Sequence, residues 1–165
     1  MQTPKRKVEK FTYIAVDTHM TQEKFYDLKK NLDRMLKSRP KLAKDVKMYA
    51  ANGDFSENAE YQIAKGKLRG LNRRITETTD LINKANIIKP SKNSDIVELG
   101  STVTVLSNKK EKTYQILGSS ETNPDKGIIS HNSPIGKSLI GKKVGEEVSI
   151  EINKKEVDFK ILKIV

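Results

Sequence analysis

Apolar residues along this chain change their period once. From about Met20 to Ile88 they recur at alternating steps of three and four. In a first arm Phe25, Leu28, Leu32, Met35, Leu42, Val46 and Tyr49 carry the rhythm, with Arg39 at the one position where an apolar residue is missing. A second arm repeats it through Tyr61, Ala64, Leu68, Leu71, Ile75, Thr78, Ile82 and Ala85. Such spacing lays a narrow apolar seam along one side of a helix, the pattern of a coiled coil. At 1.5 Å per residue, arms of about 30 residues are roughly 45 Å long. The segment from Ala51 to Ser56 separates them, and its Asn52-Gly53-Asp54 centre tolerates the left-handed backbone of a chain reversal. A short connection makes the two helices antiparallel neighbours. Pro40, beside Arg39, removes a backbone donor and is expected to kink or break the first arm.

From about Asp95 the period becomes two. Alternation at 102–106, 113–117, 148–152 and 157–161 predicts strands, with a shorter one at 127–130. Ser133-Pro134 ahead of Ile135 to Ile140 predicts a short helix, with Ser133 as its cap, Pro134 at the first helical position and Gly141 at its end. The fold class is therefore α+β: a long antiparallel helical hairpin at residues 20–89, then a small, mainly antiparallel sheet domain with one short helix at 90–165. The polar stretch from Lys89 to Ser94, which holds Pro90, marks the boundary. Residues 1–19 are expected to be an irregular leader with room for one short strand.

Composition sharpens this picture. Hydrophobic residues are 35% and charged residues 32%, so a long solvated element suits the chain better than one large core. The net charge of +11 favours nucleic acid, anionic lipid or an acidic protein groove as a partner. The absence of cysteine excludes disulfides, zinc thiolates and thiol nucleophiles. No stretch reaches the roughly 20 apolar residues that a membrane span needs, and a cytoplasmic protein without membrane contact is expected.

Little in the sequence suits an autonomous enzyme. His19 and His131 are the only histidines, and no ligand set accompanies either in sequence. A phosphate-cradling glycine loop and a nucleophile-plus-base arrangement are both missing. The hairpin tip is different, because Asp54, Glu57 and Glu60 crowd it in an otherwise basic protein. Asp54-x-x-Glu57 has the form of a capping box, which is the commoner use of such residues. The alternative is that the stalk presents these carboxylates to a cation. Two exposed carboxylates bind Mg²⁺ weakly, so a partner would have to complete the site. Lys65, Arg69 and Arg73 follow at steps of four and form a basic stripe, flanked by Lys67 and Arg74. It reads either as a solvated face or as a phosphate contact.

The stretch Gly53-Asp54-Phe55-Ser56-Glu57-Asn58-Ala59-Glu60-Tyr61 resembles the tip signature of the bacterial Gre transcript-cleavage factors. Met20-Thr21 resembles the start of that family's hairpin, Arg39-Pro40 its mid-helix break, and Asn132 to Lys142 the signature of its C-terminal domain. The resemblance covers about Met20 to Val165. It implies an FKBP-like C-terminal domain that docks on bacterial RNA polymerase, with Ser133, Pro134 and Ile135 at the docking surface. It also implies a hairpin that enters the polymerase secondary channel and stimulates cleavage of the nascent RNA 3′ end in backtracked complexes. Asp54 and Glu57 would then help hold a catalytic Mg²⁺ of the polymerase, with no cofactor bound by the unaccompanied protein. Phe55, Asn58 and Tyr61 would shape the tip, and Lys65, Arg69 and Arg73 would contact RNA. A monomer is expected. The basic charge and the leader depart from the family pattern. The segment from Tyr61 to Ile75 looks more like the GreB branch, and Ser133 to Gly141 more like the GreA branch. Three other readings compete: an inhibitory homologue that fills the channel without promoting cleavage, a prolyl isomerase, and a sequence-independent nucleic-acid binder.

Overall fold

The computed structural model describes residues 17–51, 58–89, 95–107, 109–152 and 155–165. Two helices form the hairpin, α1 (Gln22–Ala50) and α2 (Ala59–Asn83). The seam expected from the sequence is the contact surface between them. Every expected seam residue of α1 is at least partly buried except Arg39, and Ala64 and Leu71 of α2 are buried. Two helices alone can only half-cover one another, which is why so few hairpin residues leave water altogether. At Arg39 the apolar contact is replaced by a hydrogen bond across the arms, from Nε to Asn72 Oδ1 at 2.9 Å.

That exchange gives a stability prediction. Replacing Arg39 and Asn72 together by leucine restores the seam and removes both polar partners. The hairpin is expected to gain about 1 kcal/mol, read as a thermal-midpoint rise of a few degrees. An unchanged or lower midpoint would show that the polar pair is the better filling.

Two expectations for the arms need correction. Pro40 does not break α1, which runs through it without interruption. Pro40 is exposed and Leu36, one turn earlier, is 46% exposed, so the carbonyl that loses its donor faces water. Ala85 lies beyond the end of α2, where the chain turns into a strand.

At its root the hairpin is closed by two short parallel strands, β1 (His19–Met20) and β2 (Asn86–Ile87). Asn86 N donates to Thr18 O at 2.9 Å and Ile88 N to Met20 O at 2.9 Å. Met20 is completely buried. Of the expected leader, Asp17 and Thr18 have no regular structure, and His19 opens the short strand β1, for which the leader was expected to have room.

The second half is a five-stranded sheet built from β3 (Thr102–Ser107), β4 (Lys110–Leu117), β5 (Ile128–Ser130), β6 (Glu147–Ile152) and β7 (Lys155–Ile164). Its order is β5-β4-β3-β7-β6, antiparallel throughout except for the parallel β4–β5 pair. The alternation read in the sequence decides which face is covered. Val103 and Val105 of β3, Val148 and Ile150 of β6, and Phe159 and Ile161 of β7 all face one core, joined by Val97, Ile116 and Leu139. Leu139 comes from α3 (Pro134–Leu139), which begins as expected: Ser133 Oγ accepts from Gly136 N at 3.0 Å and Pro134 occupies the first turn. Gly141 follows with φ of 81°, a conformation that glycine adopts without strain. Two 3₁₀ turns between β4 and β5, at Ser119–Glu121 and Pro124–Lys126, have no counterpart in the sequence reading.

Candidate functional site: the hairpin tip and the joint at its root

Asn58 is the cap of α2. Its Oδ1 accepts from Tyr61 N at 2.9 Å, and its Nδ2 donates to Tyr49 O at 2.8 Å in the opposite arm. One side chain thus satisfies a donor at the start of α2 and ties that start to the end of α1. The cap of α2 is thus Asn58; the capping box expected at Asp54-x-x-Glu57 falls outside the described residues, as does Phe55. Asn58→Ala removes both bonds and is expected to cost about 1 to 2 kcal/mol locally. Amide exchange at Tyr61 should accelerate at least tenfold, while amides near Leu71 stay protected. Unchanged exchange at Tyr61 would count against the stitch.

Below the cap, Tyr61 is partly buried, and the Lys65 Nζ lies 5.4 Å from the centre of its ring. Lys65, Arg69 and Arg73 are all exposed on α2. Steps of four residues space them about 6 Å apart along the axis. Arg73 Nε is paired with Glu77 at 3.2 Å, which partly neutralises the root end of the stripe.

On the sheet domain, the residues expected at a docking surface are largely occupied with structure. Ser133 Oγ donates to Ser130 O at 2.6 Å as well as capping α3, and Ile135 packs against the core. Pro134 is exposed. The next residue of the same signature, Gly136, is required by packing, because a Cβ there would stand 2.2 Å from Ser130 O.

A feature that the sequence reading missed lies at the root. Asp17 and His19, just ahead of α1, meet Ser119 and His131 of the sheet domain. Asp17 Oδ2 accepts from Ser119 N at 2.6 Å, and Oδ1 accepts from His19 N at 3.1 Å. Burial alone would raise the Asp17 carboxyl, and these hydrogen bonds outweigh it, lowering it from 3.8 to about 2. The two imidazoles approach edge to face with ring centres 5.4 Å apart. The two histidines therefore do share a carboxylate, contrary to the expectation that neither has a ligand set. Beside them Glu121 grips Thr21, the cap of α1: its Oε2 accepts from Thr21 N at 2.8 Å and its Oε1 from the Thr21 hydroxyl. These contacts join residues about a hundred positions apart, so no local pattern announces them.

A capped hairpin, its tip motif and a five-stranded sheet carrying the Ser133 helix define a protein class. The chain belongs to the GreA/GreB family of transcription elongation factors: the family's N-terminal model matches residues 18–87 and its C-terminal model residues 91–165. Among its relatives, the transcription elongation factor GreA of a Nitratiruptor species is 39% identical over 148 residues, covering 88% of this chain and 91% of that one. The GreA of Helicobacter pylori (strain Shi470) is 45% identical over 129 residues, covering 76% of this chain and 79% of that one. A solved structure, the GreA factor homolog 1 of Thermus thermophilus, is similar at 22% identity with a TM-score of 0.41, over 88% of this chain and 97% of that one.

Proposed function

We propose that this chain acts on bacterial RNA polymerase as an elongation factor, inserting the hairpin tip into the secondary channel and stimulating the polymerase's own cleavage of backtracked RNA. The observation that carries this reading is the Asn58 stitch. It closes the two arms at the end of α1 opposite the sheet, a helix length of about 43 Å from the root. The Gly53–Glu57 motif lies between the two arms in sequence, directly ahead of Asn58.

Asp54 and Glu57 supply hard anionic oxygens, a donor chemistry that suits Mg²⁺. A divalent ion at such a site stabilises charge on the attacking and leaving oxygens of a phosphodiester. The chain's own part is to deliver the two carboxylates, keep them ionised and orient a water molecule. The products are an RNA with a fresh 3′ hydroxyl and a released 3′ fragment. Lys65 and Arg69 stand on the face behind the tip and would contact RNA phosphates, while Phe55 and Tyr61 shape the tip. The chain contributes no complete active site, so hydrolysis without polymerase is not expected.

RNA release from stalled, backtracked polymerase complexes tests the proposal. Acceleration by added protein supports it. Binding to polymerase with slowed cleavage would instead establish an inhibitory channel blocker. Salt-sensitive binding to RNA or DNA alone, with no effect on cleavage, would establish a nucleic-acid binder.

A further inference from the structure

The joint at the hairpin root holds a set of donors that nothing in transcript cleavage uses. Asp17, His19 and His131 each place one ligand atom so that all three lie within 4.8 Å of one another. The His19 Nδ1 stands 3.0 Å from Asp17 Oδ1, and the His131 Nδ1 stands 3.5 Å from Asp17 Oδ2. Around a tetrahedral zinc ion with bonds near 2.0 to 2.1 Å, neighbouring donors are about 3.3 Å apart. Each imidazole nitrogen is near that distance from one oxygen of the carboxylate, His19 from Oδ1 and His131 from Oδ2. Bringing both nitrogens and one carboxylate oxygen to that spacing takes rotation of the imidazoles, and the His19 side chain is 39% exposed and that of His131 21%.

We propose that Asp17, His19 and His131 form a binding site for a divalent first-row transition metal, with zinc the best fit, which clamps the root of the hairpin to the sheet domain. Two imidazoles and one carboxylate are a borderline-soft set that Mg²⁺ does not favour, and they leave a fourth position for water. The carboxylate is 7% exposed and oriented by the Ser119 and His19 amides, the outer support that a ligand in a metal site needs. The donors come from both halves of the molecule: Asp17 and His19 precede α1, and His131 follows β5. Binding therefore restrains the angle at which the hairpin leaves the sheet. The metal-free alternative is a hydrogen-bonded His–Asp–His cluster with the same contacts.

The test uses the full chain, freed of metal by chelation, with Zn²⁺ titrated calorimetrically and Co²⁺ as a spectroscopic probe. The chain contains only two histidines, so background sites are few. The expected result is one ion per chain, a tetrahedral Co²⁺ absorption band in the visible, and a Zn²⁺-dependent rise in melting temperature. His19→Gln and His131→Gln should each weaken binding at least tenfold, with helicity by circular dichroism unchanged. Mg²⁺ in large excess should not displace the metal. No stoichiometric binding, or binding indifferent to both substitutions, overturns the site. None of these residues belongs to the tip segment between α1 and α2, so this outcome is independent of transcript cleavage.

Discussion

Asp54→Asn is expected to leave polymerase binding within about twofold and to lower stimulated transcript cleavage by roughly a hundredfold or more. The substitution keeps size and hydrogen-bonding capacity and removes one negative charge. A metal-assisted hydrolysis that loses one anionic ligand loses stabilisation of the transition state, and factors of a hundred or more are typical when one such group is removed. A hundredfold loss corresponds to about 2.7 kcal/mol. Glu57→Gln should behave alike, and the double variant should be little worse than either single one, because the two groups serve one ion. The capping alternative predicts a different pattern. If Asp54 served only to start α2, Asn would serve nearly as well, since both are good caps. With Asn58 already in that position, the expected cost to hairpin stability is close to nil. Cleavage at wild-type rates with Asp54→Asn would remove the role assigned to the tip.

The parts of this protein that were legible in the sequence are those governed by local period. The seam from Phe25 to Ile82 repeats every three or four residues, so each position announces which side it faces. Even the exception was visible, since Arg39 interrupts the repeat and is the seam residue that stays exposed. The strands could be read because Val103 and Val105, or Phe159 and Ile161, alternate with polar neighbours. Ser133-Pro134 combines a side-chain acceptor with a residue that needs no amide donor, and α3 starts there. The chain did not reveal whatever depends on contacts distant in sequence. Thr21 and Glu121 are 100 residues apart and Asp17 and Ser119 are 102 apart, and each pair is two ordinary polar residues until the fold brings them together. The cap of α2 at Asn58 is hidden in the sequence for a different reason. Asp54-x-x-Glu57 and Asn58-x-x-Tyr61 both offer a capping side chain, and the carbonyl of Tyr49 in the other arm favours the second. For the tip, the sequence resembles a known signature, and the cleavage assay tests the role which that signature implies.

Gly118→Ala should be the most damaging small substitution in the sheet domain. A Cβ at this position would lie 1.8 Å from His19 O and 2.8 Å from His19 C. Both are backbone atoms, so no side-chain rotation relieves the clash, and β1 has to move. Moving it strains the bonds that hold the hairpin root: Asp17 to Ser119, Thr21 to Glu121, and Asn86 N to Thr18 O. Overpacking of this kind costs about 1 to 3 kcal/mol, and the upper end is expected here because several bonds share the shift. Amide exchange should accelerate at Ser119, Thr21 and Asn86, while the middle of the hairpin and the sheet core keep their protection. Gly66→Ala is the matching control. No atom outside its own helix lies within 4 Å of a Cβ there, and alanine in a helix interior is favoured over glycine by roughly 0.5 to 1 kcal/mol. The same one-carbon change is thus expected to stabilise the arm and loosen the joint. If Gly118→Ala melts at the wild-type temperature with unchanged exchange at Ser119, then β1 does not pack against Gly118 as described, and the hairpin is not anchored through it.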